Sequence, residues 1–166
     1  MSLVILATWG IASASVTLAL MHLRIWWNDR SASANAAFAL VAIGVALFAA
    51  AEYGLMRAET PERFGQVLRW AHVPIFMMVV GILWFVRTSF HPGRTWLACA
   101  AVAVNALTLV VNFVHYPNAD YVALSGLSRV SFLGETVSVP VGQVSNWHWV
   151  VQFSLLLLLV FVGLLL

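Results

Sequence analysis

The chain has 166 residues, 63% of them hydrophobic and only 8% charged, with a formal net charge of +2 and a mean hydropathy of +0.95. Soluble domains carry about 25% charged residues, so this composition excludes an ordinary water-soluble enzyme and reads as an integral membrane protein. All eight basic residues are arginine and form no basic tract, which excludes a nucleic-acid-binding surface.

A helix needs ~20 mostly apolar residues to cross ~30 Å of hydrocarbon, and in chain order five runs answer to that. The opening "MSLVILATWGIASASVTLAL" has no basic n-region and too long an apolar stretch for a secretory signal, so it is expected to remain as the first span, 3–26. Small residues in "GIASAS" permit close helix approach there. The second span covers 36–56. Before the third, in "AETPERFGQVLRW", Thr60 can cap, Pro61 suits the first helical position, and Glu62 complements the positive end of the dipole. That predicts a helix over 61–90, about 45 Å long at 1.5 Å per residue and therefore longer than the bilayer core.

The fourth span, 95–114, contains the single cysteine, Cys99, which rules out an internal disulfide and reads as a small packing residue. A loop of about thirty residues, 115–146, follows. In it Val130, Phe132, Val137 and Val139 alternate with polar residues around Gly134 and Glu135, the pattern of a short β-hairpin. Pro140 would end its second strand or lie on an exposed edge. The fifth span, 147–166, closes one all-α transmembrane domain, 1–166. Because "LLLLLVFVGLLL" has no polar flank, the chain is expected to be the N-terminal fragment of a longer protein.

Orientation follows from the arginines. Loops one and three hold Arg24, Arg30, Arg87 and Arg94; loops two and four hold Arg57, Arg63, Arg69 and Arg129. The count is even, but those of loops one and three sit tight against helix ends, which places these loops inside. The expectation is an N-terminus outside and a C-terminus inside. His22 and His91, beside Arg24, Trp26, Trp27 and Arg94, read as interfacial anchors on the inner side.

The run "RWAHVPIFMMVVGILWFVR" carries a histidine and a proline near its start. Pro74 lacks the N–H that the Trp70 carbonyl would accept, which makes it a candidate hinge, and His72 lies in that loosened turn. An ionisable residue at membrane depth marks a functional-site hypothesis. Glu52, His115, His148 and Gln152 fall at a similar depth, and Asn105, Thr108 and Asn112 form a polar stripe on the fourth helix. The stripe is read first as hydrogen-bonding glue between helices, with a ligand pocket as the alternative. The candidate ligand-binding set is Glu52, His72, Asn112, His115, His148 and Gln152. Of these, His72, His115, His148 and Glu52 are chemically able to hold a transition metal, and two histidines could ligate a haem. No G-x-S-x-G, H-E-x-x-H or P-loop motif occurs, so no enzymatic activity is expected of this chain.

Over roughly residues 20–160, at "AEYGLMRAETPERFGQVLRWAHVPIF", "LVVNFVHYPNADY" and "VSFLGETVSVPVG", the chain resembles the N-terminal multi-helix membrane region of bacterial two-component sensor histidine kinases. The resemblance implies a sensory input module in the bacterial inner membrane, a homodimer, and cytoplasmic PAS and kinase domains in the parent protein. It transfers no ligand-binding residue. The expected function is detection of a small or membrane-soluble ligand, or of redox state, at the outer half of the bundle. The alternatives are a haem- or metal-binding subunit of an electron-transfer system and a non-catalytic membrane scaffold.

Overall fold

The computed structural model describes residues 2–90 and 95–163. It contains α1 (Leu3–Asn28), α2 (Ser33–Met56), α3 (Pro61–Phe90), α4 (Thr95–Val114), β1 (Tyr121–Phe132), β2 (Glu135–Val144) and α5 (Trp147–Gly163). The first four helices are long and apolar enough to cross a membrane, whereas α5 has 17 described residues. The last three residues of its expected span, 164–166, and the expected anchors His91 and Arg94 lie outside the described residues.

Local chemistry sets the helix starts. The Ser2 hydroxyl accepts the Ile5 N–H at the head of α1, and the Thr60 hydroxyl accepts the Arg63 N–H at the head of α3. The Ser145 hydroxyl accepts the Trp147 N–H at the head of α5. Each satisfies an amide that the first turn leaves without a partner. Between α1 and α2 the Asp29 carboxylate accepts from both the hydroxyl and the backbone N–H of Ser31, and these bonds hold its carboxyl below the usual range.

Packing follows chain order: α2 lies against α1 and α3, and α4 against α3 and α5. The α2–α3 contact is made through glycines. A Cβ on Gly44 would lie 2.7 Å from Met78 Cγ and 3.0 Å from the Pro74 carbonyl oxygen. One on Gly81 would lie 2.7 Å from Val41 Cγ2 and 3.0 Å from the Ala37 carbonyl oxygen. Such close backbone approach is how helices associate where no hydrophobic force draws them together. Val79, Leu83, Ala101 and Phe161 form the core where α3, α4 and α5 meet.

Three further residues take defined places. His22 ties α1 to α2, with its Nδ1 2.7 Å from Asn35 Oδ1 and its ring 4.2 Å from that of Phe38. Cys99 is exposed on α4 and not packed inside, because its face of the helix lines a shallow cleft with Trp84 and Arg87. Helix α3 runs unbroken through Pro74.

The hairpin is longer than the short one expected, with strands of 12 and 10 residues. Its ladder runs from Tyr121 opposite Val144 to Phe132 opposite Glu135. Leu133 and Gly134, both at positive φ, make the two-residue turn favoured by twisted hairpins. The outer parts of the strands escape the alternating pattern because bulges near Tyr121 and Leu124 shift the register. Pro140 is accommodated opposite Leu127, in a two-stranded sheet with two open edges. The hairpin lies across one end of the bundle, called the cap end below. Leu124 and Leu127 pack on Leu55, Ala58 and Phe64, the Ser138 hydroxyl donates to the Ala58 carbonyl, and Thr136 and Val137 reach Val4 and Ile5 of α1.

Gly81→Val forces its side chain into Val41 and the α2 backbone and is expected to destabilise by about 1–3 kcal/mol or more. Gly10→Ala, with nothing within 4 Å of the new Cβ, should leave the thermal midpoint in detergent unchanged; equal midpoints for both variants would contradict the glycine-mediated contact.

Candidate functional site

The segment joining α4 to β1 is fastened to α3 by a set of hydrogen bonds. Arg69 of α3 donates from Nε to the Pro117 carbonyl at 2.8 Å and from Nη2 to the His115 carbonyl at 3.0 Å, charge-assisted bonds stronger than neutral ones. Asn112, fully buried, donates to the Arg69 carbonyl at 2.7 Å and accepts the Ala119 N–H at 3.1 Å. Asn118 donates to the Gly65 carbonyl at 3.3 Å, while its side-chain oxygen accepts the N–H groups of both Asp120 and Tyr121 at 3.0 Å, an Asx turn. The Asp120 carbonyl then accepts the Ser145 N–H at 2.8 Å, closing the hairpin base beside the start of α5.

This turn delivers one carboxylate to two histidines. Asp120 Oδ1 lies 3.0 Å from His148 Nδ1 of α5, and Oδ2 lies 3.4 Å from His72 Nε2 of α3. Asp120 and His72 are 9% and 5% exposed, so the carboxylate and the imidazole are largely out of water. Burial, and then the adjacent Asp120 carboxylate, push the Tyr121 phenol above its ordinary range.

The hydrogen-bond partners constrain both rings. His148 donates from Nδ1 to Asp120, and its Nε2, 3.4 Å from Gln152 Nε2, accepts from that amide; a neutral ring satisfies both atoms. His72 donates from Nδ1 to the Leu68 carbonyl at 3.0 Å. Its Nε2 faces Asp120 and is buried without a hydrogen bond. A bare Nε2 opposes its lone pair to the carboxylate oxygen, whereas a proton on it makes the contact attractive. One buried carboxylate thus links α3, α5 and the hairpin base.

Of the sequence-derived candidates, the structure brings His72 and His148 together through Asp120, with Gln152 beyond His148 and Asn112 supporting the turn behind. His115 is exposed, its ring 6.0 Å from that of Trp147. Glu52 is half-buried on α2, apart from the cluster, and beside it Arg57 lies over the Tyr53 ring at 5.8 Å. Among the described residues no group of three or more His, Cys, Asp or Glu side chains is arranged to hold a metal ion. In the polar stripe, Asn105 accepts from the Ser154 hydroxyl of α5 at 3.2 Å, whereas Thr108 turns back to its own helix at the Val104 carbonyl.

Sequence reasoning missed Asp120, Asn118 and Arg69. The available signal was "HYPNAD", in which Asn118 stands two residues before Asp120 as an Asx turn requires. Asp120→Ala removes the carboxylate that His148 donates to and that His72 faces, and is expected to destabilise by about 1–3 kcal/mol. Hydrogen exchange at 118–121 and 145–148 should speed in parallel, while His115→Ala, at an exposed ring, should change neither. Unaltered exchange in the Asp120 variant would refute the linkage.

No family model, curated protein or solved structure matches the chain, so a functional reading has to come from the chemistry of this site.

Proposed function

We propose that the chain is the membrane sensory input module of a bacterial signal-transduction histidine kinase, lying in the inner membrane with its N-terminus outside and its C-terminus cytoplasmic, and working as a homodimer. The observation that carries this reading is the buried Asp120 carboxylate shared between His72 of α3 and His148 of α5, with His72 Nε2 facing it without a hydrogen bond. In this reading the cluster has two arrangements. With a proton on His72 Nε2 it clamps α3, α5 and the hairpin base; with that nitrogen bare, His72 and Asp120 repel and the clamp opens.

A stimulus that favours one arrangement shifts the population between them by its differential affinity. Helix α5 starts at the site, since His148 is its second residue, and is the direct mechanical route from the cap end to the opposite end of the bundle. The stimulus in this reading is a small or membrane-soluble molecule acting on the cap half of the bundle. The resemblance to sensor-kinase membrane regions, the long apolar helices and a buried ionisable cluster joining α3 to the start of α5 all support it.

The test joins the chain through residue 166 to a histidine-kinase output domain and measures autophosphorylation in membrane vesicles. Asp120→Asn and His72→Gln, which remove the charge and the proton acceptor, should each shift the basal rate several-fold. Ser128→Ala, on the exposed hairpin surface, should leave it at the parent level. Rates unchanged in both cluster variants would overturn the proposal.

A further inference from the structure

Away from the Asp120 cluster, α2 and α3 enclose an open groove of about 490 Å³ on the flank of α3, within the size range of small-molecule sites. Its ends differ chemically. At the cap end lie Arg63 and Gln66, one turn apart on α3; below them Trp70 forms one wall, the small Ala50 and Ala51 of α2 form the other, and Pro74 marks the deep end. From Arg63 to Pro74 the groove follows eleven residues of helix, about 16 Å at 1.5 Å per residue. Among the described residues the only ion pairs are those of Asp120 with His72 and His148. The Arg63 guanidinium therefore has no carboxylate within ion-pair distance.

We infer that this groove binds a single-chain amphiphile with an anionic head, a fatty carboxylate, its head on Arg63 and Gln66 and its chain running along Trp70 toward Pro74. The charge argument selects the head: a guanidinium beside an amide donor matches a carboxylate in geometry and sign. The walls select the tail, since below Gln66 the side chains lining the groove are apolar, Trp70 among them. The shape selects a single chain, because the slot lies between just two helices and has alanines on one side. In sequence Trp70 opens the apolar run that continues to Phe90, a position that suits a tryptophan at a membrane interface, so the head would sit in the headgroup layer and the chain in the hydrocarbon. The site goes beyond the sensor reading and does not require it, although both rest on the chain being embedded in a bilayer.

The experiment titrates detergent-solubilised protein with brominated stearate and follows quenching of tryptophan emission. Saturable quenching is expected that is largely lost in Trp70→Phe, weakened roughly tenfold in apparent affinity by Arg63→Gln, and abolished by Ala51→Phe, which fills the slot. Arg87→Gln, in the second cleft between α3 and α4, should bind like the parent. Brominated methyl stearate and brominated phosphatidylcholine, applied to the unaltered chain, should bind far more weakly. Equal quenching by the ester would overturn the anionic head, equal quenching by the phospholipid would overturn the single chain, and indifference to both Arg63→Gln and Ala51→Phe would overturn the location. The ester and phospholipid arms need no variant, so they decide even where a substitution prevents folding. Because the readout is binding alone, its failure leaves the Asp120 clamp reading standing, and the failure of that reading leaves this one.

Discussion

Removing a carboxylate from water costs several kcal/mol unless attraction and hydrogen bonds offset it, and the cap end of this molecule is organised around meeting that demand at Asp120. Two histidines from different helices supply the partners. Neither reaches Asp120 unless the turn before it is held, and that turn is held by Arg69, Asn112 and Asn118, which bond main-chain groups on both sides of the gap. These side chains act on carbonyl and N–H groups that an irregular segment leaves unpaired. The same bonds therefore satisfy the turn and aim its carboxylate. The hairpin grows directly from that point, with its base pinned by the Asp120 carbonyl on Ser145. Its far end rests against α1, about 40 Å away for a 12-residue strand at ~3.3 Å per residue. A movement at Asp120 has a lever to act on.

Much of the frame was legible in sequence because the relevant signals are local. Thr60 with Pro61 announced the start of α3 by cap chemistry, and the observed helix begins at Pro61. A hairpin turn was visible from flanking alternation around Gly134 and Glu135 and lies one residue earlier, at Leu133 and Gly134; the full length of the strands was not visible, because bulges break the alternation farther out. At the site, His72 was legible as an ionisable residue in an apolar run. Asp120 was not, since a loop acid looks the same whether it is solvated or carried inward by hydrogen bonds from residues some fifty positions earlier. His115 and His148 illustrate a finer limit. Both stand at helix ends of similar depth, but His115 falls just beyond α4, whose last residue is Val114, where helical phase no longer fixes direction. His148 is inside the first turn of α5 and its direction is set by the helix.

Helix α3 carries two polar stripes that sequence order interleaves and helical geometry separates. Gly65, Arg69 and His72, spaced four and three apart, share one face, and that face meets the turn and Asp120. Arg63, Gln66, Trp70 and Val73 share a second face, which lines the groove with α2. The stripes come within one residue of each other at Ala71 to Val73, where His72 points to the carboxylate and Trp70 and Val73 wall the groove. Immediately beyond stands Pro74, which supplies no N–H to the Trp70 carbonyl and whose own carbonyl is pressed against Gly44 of α2. The turn of α3 with one fewer hydrogen bond is thus the turn shared by both faces. Occupancy of the groove would press on the same backbone that sets the distance between His72 and Asp120. His72 Nε2 and Asp120 Oδ2 stand 3.4 Å apart without a hydrogen bond, and electrostatic contacts between groups taken out of water are sensitive to small displacements, so a change in the course of α3 there acts on this contact more than on a packed apolar one.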